Sequence, residues 1–222
     1  MTREQLAAFI DHTLLRPDAT AKDIERLCAE ARANRFCAVC VNSSRVVLAR
    51  HCLEDSEVKV AATVGFPLGA MSSDAMRYET ECAIDDGAQE IDAVINIGRL
   101  KDREDSRVLR ELRDLVEAAD ERPVKVILET GLLTDEEKVR ACHLVVESGA
   151  HFVKTSTGFA NGGATVADVQ LMRATVGPKF GVKASGGIRD AATALALIAA
   201  GATRLGTSSG VGIVQSIGPA QP

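Results

Sequence analysis

No run of 18 or more apolar residues occurs in this 222-residue chain, so no membrane-spanning helix is expected. The start, Met1-Thr2-Arg3-Glu4-Gln5-Leu6, lacks the charged, apolar and small-residue succession of a secretory leader. No dense Lys/Arg stripe appears and the formal net charge is −5, which argues against nucleic acid or an anionic membrane as partner. The four scattered histidines make no metal spacing such as H-E-x-x-H, so no metal site is expected. Six cysteines are too few for a disulfide scaffold in a chain large enough to build its own core, and they fit a reducing cytoplasm. Cys37-Ala38-Val39-Cys40 spells C-x-x-C, but it falls inside the strand-like run 36–41. Three residues apart on a strand means opposite faces, which disfavours redox or metal use.

What the chain does have is an alternation of short apolar strands and amphipathic helices. It repeats eight times, with strand starts roughly 20–35 residues apart. Strands are expected at 8–15, 36–41, 58–66, 90–97, 123–129, 151–156, 180–184 and 203–206. Thr20 reads as the cap of a helix with the stripe Ile24, Leu27, Cys28 and Ala31, and Ser73 as the cap of one running to about Asp85. One charged helix is expected over 101–120 with the stripe Leu109, Leu112 and Val116. Thr134 to Glu137 fits a capping box, opening a helix whose stripe holds Val139, Cys142, His143 and Val146, with His143 packed rather than a ligand. Strand–helix alternation implies parallel strands and right-handed crossovers, and eight units favour a single α/β domain over 1–222, a closed (β/α)8 TIM barrel. An open doubly wound sheet is the rival, but the G-x-G-x-x-G fingerprint after the first strand is missing. From about residue 217 the Gly/Pro-containing tail has little to hold it.

Three strands carry an ionisable group opposite an apolar face. Lys154 sits against Val153 and Thr155, Lys183 against Val182 and Ala184, and Asp92 against Ile91 and Ala93. A lysine buried in an apolar run costs several kcal/mol unless it is paired or neutral, and a neutral amine is a nucleophile. To be largely neutral near pH 7 a lysine must deprotonate roughly 3 pH units below its usual pKa, a cost of about 4 kcal/mol. A second ammonium about 6 Å away contributes about 2.8 kcal/mol of that at an effective dielectric of about 20. So one lysine can hold the proton while the other attacks, with Asp92 pairing the cationic one.

In this fold the site lies at the C-terminal ends of the strands. The last three ends carry the small polar turns Thr157-Gly158, Gly186-Gly187 and Ser208-Ser209-Gly210. Such turns let backbone N–H groups approach an anion, and Ser208-Ser209 opens a helix whose dipole favours negative charge. Two lysines and a carboxylate beside an anion site suggest imine chemistry on a phosphorylated aldehyde or ketone. Two other readings stay open on these residues: a phosphosugar isomerase working through a carboxylate base, and a non-catalytic phosphometabolite-binding barrel.

The chain resembles the deoxyribose-phosphate aldolase (DeoC) family of class I aldolases over nearly its whole length. The resemblance rests on Ile10-Asp11-His12-Thr13-Leu14-Leu15, Gly65-Phe66-Pro67-Leu68-Gly69, the stretch 87–98 and Leu128-Glu129-Thr130-Gly131. It continues through Val153-Lys154-Thr155-Ser156-Thr157-Gly158, Lys183-Ala184-Ser185-Gly186-Gly187 and Gly206-Thr207-Ser208-Ser209-Gly210. It implies Lys154 as the Schiff-base lysine, with Lys183 and Asp92 as proton donors and acceptors. It implies Gly158, Gly186, Gly187, Ser208 and Ser209 as phosphate-binding positions, Cys40 as a pocket cysteine, and Asp11 and Thr13 at the barrel mouth. It further implies reversible cleavage of 2-deoxy-D-ribose 5-phosphate without metal or organic cofactor, and a homo-oligomer, dimer or tetramer. The chain departs from the family in two places. Ser43 and Ser44 follow Val41-Asn42, where a proline and often an aromatic are usual. Phe159 rather than a cation follows Gly158, so phosphate is expected to rest mostly on backbone N–H groups.

Overall fold

The computed structural model describes residues 1–217; the expected loose tail lies outside them from Gly218 onward. Eight parallel strands close into a barrel in sequence order, with the last strand pairing the first. They are β1 (Ile10–Leu14), β2 (Ala38–Asn42), β3 (Lys59–Val64), β4 (Glu90–Val94), β5 (Val124–Ile127), β6 (Phe152–Lys154), β7 (Gly181–Ser185) and β8 (Arg204–Thr207). The helices are α1 (Arg3–Ala7), α2 (Ala21–Asn34), α3 (Val46–Cys52), α4 (Ser73–Asp85), α5 (Ile97–Lys101), α6 (Asp105–Ala118), α7 (Asp135–Glu147), α8 (Val166–Val176), α9 (Ala191–Ala199) and α10 (Gly210–Ser216). None of them is long and apolar enough to cross a membrane.

The core is a jacket between strands and helices. Val39, Val60, Ile91, Val126, Val153, Val182 and Leu205 point outward and are fully buried against the helices in one cluster. Period-2 alternation therefore turns the neighbours Cys40, Asp92, Lys125, Lys154 and Lys183 into the lumen. Three capping boxes set helix starts, at Thr2 with Gln5, Thr20 with Asp23 and Thr134 with Glu137.

Several expectations are corrected. The first element is α1, whose Leu6 and Ala7 are buried, so β1 begins later than its apolar run suggests. Ser72, not Ser73, caps α4; its hydroxyl accepts from the Ala75 N–H. The charged helix expected over 101–120 is α6, which starts only at Asp105, and a separate short helix, α5, precedes it. Asn96 caps α5, and Arg103 with φ +59° stops it before α6. The buried stripe of α6 is Val108, Leu112 and Leu115. On α7 the buried set is Lys138, Ala141, Cys142, Leu144 and Val145; His143 is exposed, not packed. Lys138 lies on the buried face, where its Nζ donates to Asp168 Oδ1 at 2.6 Å and to Asp135 at 2.9 Å. That pairing ties α7 to α8 on the face that also buries Ala141, Cys142 and Val145, and His143 lies on the opposite side.

The second loop, where Ser43 and Ser44 depart from the family, forms a 3-10 turn over Ser43–Arg45. Ser43 Oγ donates to Glu79 Oε1 at 2.8 Å, and the Gly65 N–H donates to Glu79 Oε2 at 2.9 Å. One carboxylate thus links the loops after β2 and β3.

Candidate active site

Lys154 ends β6, and its register partner on β7 is Lys183. The two amines share an acceptor: each Nζ lies 2.7 Å from Asp92 Oδ2. Twice that arm is 5.4 Å, the largest separation the two nitrogens can have. The expected crowding of the amines is met.

They are not alone. Lys125, the partner of Asp92 in the ladder, donates to Asp92 Oδ1 at 2.8 Å and meets Glu90 Oε2 at 2.5 Å. Lys183 also donates to Asp11 Oδ2 at 2.5 Å. Arg204 joins Asp11 Oδ1 at 2.8 Å to Glu90 Oε2 at 3.2 Å. Four cations and three carboxylates form one continuous buried lattice. Lys125, Lys183 and Arg204 each touch two carboxylates, whereas Lys154 touches only one, which it shares.

Burial raises the carboxyl of Asp92, but Lys125, Lys154 and Lys183 outweigh it and hold the group well below the usual range. Asp11 behaves alike: burial opposes ionisation, Lys183 and Arg204 win, and its pKa falls to about 2. Burial pushes the Lys183 ammonium down, yet Asp11 and Asp92 lift it well above the ordinary lysine range. Lys183 is thus held as a firm cation. Burial, then the Asp92 charge, raises the Cys40 thiol, which lies 3.9 Å from Asp92 Oδ2. Cys40 packs in a small apolar group with Leu15, Ala61 and Phe66.

A cavity of about 350 Å³ opens at the C-terminal mouth. Thr13, Lys154, Gly158, Gly186, Gly187 and Ser208 line it. Asp11, Cys40, Asp92 and Lys183 do not; they are buried as the floor that holds Lys154. Ser209 is set back from the wall, and its N–H is taken by Thr207 Oγ1 at 2.9 Å. Gly158, Gly186 and Gly187 all have positive φ (+84°, +89° and +76°), which explains glycine at each turn. Among the described residues the N–H groups of Gly158, Gly186, Gly187 and Ser208 find no protein acceptor. They are open donors beside Lys154.

Sequence reasoning missed several residues. Lys125 obeys the same mid-strand rule as the other two lysines, between Val124 and Val126, so its signal was present. Glu90 shares the Asp92 face of its strand by alternation, so its signal was present too, whereas Arg204 carries none that separates it from a surface charge. Arg16 and Arg189 stand on the cavity wall. Arg16 is engaged with Asp18 at 2.7 Å and Asp23 at 2.5 Å, while Arg189 has no ion-pair partner among the described residues. Ser185 Oγ is buried, unpartnered among the described residues, and on a residue that lines the cavity. Glu129, at φ +57°, accepts from Thr157 N–H at 3.2 Å and Thr157 Oγ1 at 2.5 Å, pinning the turn after β6. Phe159 meets Phe66 edge-on across the mouth, 5.2 Å between centroids.

Buried amines converging on the mouth of a parallel barrel define the class: a (β/α)8 protein equipped for amine chemistry on a small carbonyl compound. Comparison with known proteins narrows the class. The DeoC/LacD family aldolase profile matches residues 6–216. A deoxyribose-phosphate aldolase of Alkaliphilus oremlandii is 57% identical over 210 residues, covering 94% of this chain and 95% of the relative. Deoxyribose-phosphate aldolase 1 of Bacillus licheniformis is 57% identical over 215 residues, covering 96% of each. Among solved structures, the aldolase QR15 superposes with a TM-score of 0.92 at 39% identity, covering 95% of both chains. The tetrameric deoxyribose phosphate aldolase of Aeropyrum pernix gives 0.91 at 34% identity, covering 97% of this chain and 92% of that one. The chain belongs to the DeoC/LacD family of aldolases.

Proposed function

We propose that the protein is a class I aldolase that reversibly cleaves 2-deoxy-D-ribose 5-phosphate to D-glyceraldehyde 3-phosphate and acetaldehyde. The observation that carries this is Lys154, an amine at the wall of the mouth cavity bound to a carboxylate oxygen that it shares with a second lysine. The names of the relatives support the substrate.

The lattice holds one cation more than it has carboxylates, and one amine combines the least carboxylate contact with a place on the cavity wall. That amine is Lys154, which adds to C1 of the sugar aldehyde and expels water to give an iminium ion. Asp92 and Lys183 relay the proton lost from the 3-hydroxyl. The C2–C3 bond breaks, and its electron pair moves into the enamine, with the iminium nitrogen as sink. This electron sink is organic and self-supplied, so the step calls on neither metal nor cofactor. Reprotonation at C2 and hydrolysis release acetaldehyde and regenerate Lys154. The sugar phosphate rests against the open N–H groups of Gly158, Gly186, Gly187 and Ser208, with Arg189 beside them; Ser209 supports that loop from behind. Asp11 anchors Lys183, Thr13 lines the entrance, and Cys40 borders the floor.

Borohydride reduction in the presence of acetaldehyde should add the two-carbon unit to Lys154 alone, detectable by peptide mass. Lys154→Leu should lower deoxyribose 5-phosphate cleavage by at least about 10³-fold, since the covalent route is gone. A Lys154→Leu variant with undiminished turnover ends the imine mechanism. The same reading includes a cytoplasmic location, consistent with six free thiols, and a homodimer or homotetramer, supported by the tetrameric relative. Light scattering tests the assembly.

A further inference from the structure

His12 is a buried polar side chain that the proposed chemistry leaves idle. It lies between Asp11 and Thr13 on β1, and alternation turns its ring away from the lumen. It is 2% exposed. Its Nε2 stands 2.7 Å from Glu30 Oε2 on α2. A carboxylate accepts, so the hydrogen of this pair is on Nε2. Phe36 packs on the ring at 5.1 Å, tilted by 52°.

The other ring nitrogen, Nδ1, has no hydrogen-bond partner among the described residues. It faces Gly210. A Cβ built on Gly210 would stand 3.0 Å from Nδ1 and 3.1 Å from both Ile10 Cγ2 and Phe36 Cζ. The imidazole edge therefore abuts the backbone of Gly210, and a side chain there would force the neighbours apart. Gly210 follows Ser208 and Ser209 directly, and Ser208 lines the cavity. The same loop has a second tie. Thr207, the ladder partner of His12, accepts from the Ser209 N–H at 2.9 Å and donates to Ile188 O at 2.7 Å. The loop is thus tied by a threonine and backed by a braced imidazole, both on the outer face of the barrel.

We propose that His12, held by Glu30, is a positioning residue for the anion-binding loop Ser208–Gly210, and through it a determinant of selectivity for phosphorylated over unphosphorylated aldehydes. The proposal rests on the aldolase reading for its substrate and on the geometry above for its mechanism. His12 touches no reacting atom. Shortening it removes the stop behind Gly210, lets the loop settle toward β1, and withdraws the Ser208 N–H from the phosphate while Lys154 stays in place.

The test compares wild type, His12→Ala and His12→Gln on 2-deoxyribose 5-phosphate and on 2-deoxyribose, together with the melting shift produced by inorganic phosphate. His12→Ala should raise KM for the phosphorylated sugar about tenfold, the scale of one lost polar contact. Its kcat should stay within twofold, its kcat/KM on 2-deoxyribose should hold, and its phosphate melting shift should shrink. His12→Gln, whose amide still reaches Glu30, should recover most of the loss; it also carries the comparison if the alanine variant does not fold. Equal losses on both sugars, or an unchanged KM on the phosphorylated one, overturns the proposal. If wild type turns over neither sugar, the aldolase reading has failed. The phosphate shift then decides alone, and an absent shift in wild type, or an equal one in wild type and His12→Ala, overturns the positioning role.

Discussion

The same strands present two faces that follow opposite rules. Outward, Ile91, Val126, Val153 and Val182 meet the helices as pure hydrocarbon. One residue along each strand, inward, Asp92, Lys125, Lys154 and Lys183 are just as buried and carry charge. The outward face is where burial stabilises: a fully buried aliphatic side chain contributes about 1.5–3 kcal/mol. The inward face costs desolvation that its internal pairing only offsets, and a hydrocarbon filling would serve stability as well or better. What the difference teaches is that stability alone gives no reason for the lattice, whereas the proposed chemistry does. Its members are mutually dependent, whereas those of the jacket are close to independent.

The sharpest way to break that contrast is Asp92→Ala. It leaves Lys125, Lys154 and Lys183 without the carboxylate all three touch, and should cost about 3–5 kcal/mol in urea unfolding. Turnover should fall about 10²–10⁴-fold. A wild-type unfolding midpoint would erase the distinction between the faces.

Acid offers a subtler probe. The folded pKa of Asp11, about 2, lies below its unfolded value near 3.8. Its contribution is therefore fully present above about pH 4 and is lost as pH falls toward 2. The amount is on the order of 2 kcal/mol. Unfolding measured from pH 5 to 2 should show this slope, and Asp11→Asn should flatten it. The smallest effect belongs to the jacket. Ile91→Val should cost about 0.5–1.5 kcal/mol and leave turnover untouched, although Ile91 adjoins Asp92. A large loss of activity there would mean the two faces are coupled.

The barrel was legible because strand alternation and eightfold repetition are properties of the chain itself. The amine pair was legible because a lysine between valines is rare enough to demand a reason. What stayed hidden depends on partners distant in sequence. Arg204 reaches Asp11 and Glu90 only once β8 closes against β1. The face α7 turns inward, which leaves His143 exposed, includes Lys138 because it meets Asp168 on the next helix. The late start of α6 follows a backbone event at Arg103, φ +59°, that side-chain periodicity does not report. Arg16 and Arg189 come together across the mouth from opposite ends of the chain, a proximity that only ring closure creates.

The ladder register has a consequence for assembly. Lys154 pairs with Lys183 and Asp92 with Lys125, so sliding any of these strands by one position would thrust an ammonium or carboxylate among the aliphatic side chains outside. Mispaired rings are electrically intolerable, and only one winding keeps every ion among its counter-ions. The groups proposed to attack a sugar also proofread the fold that holds them.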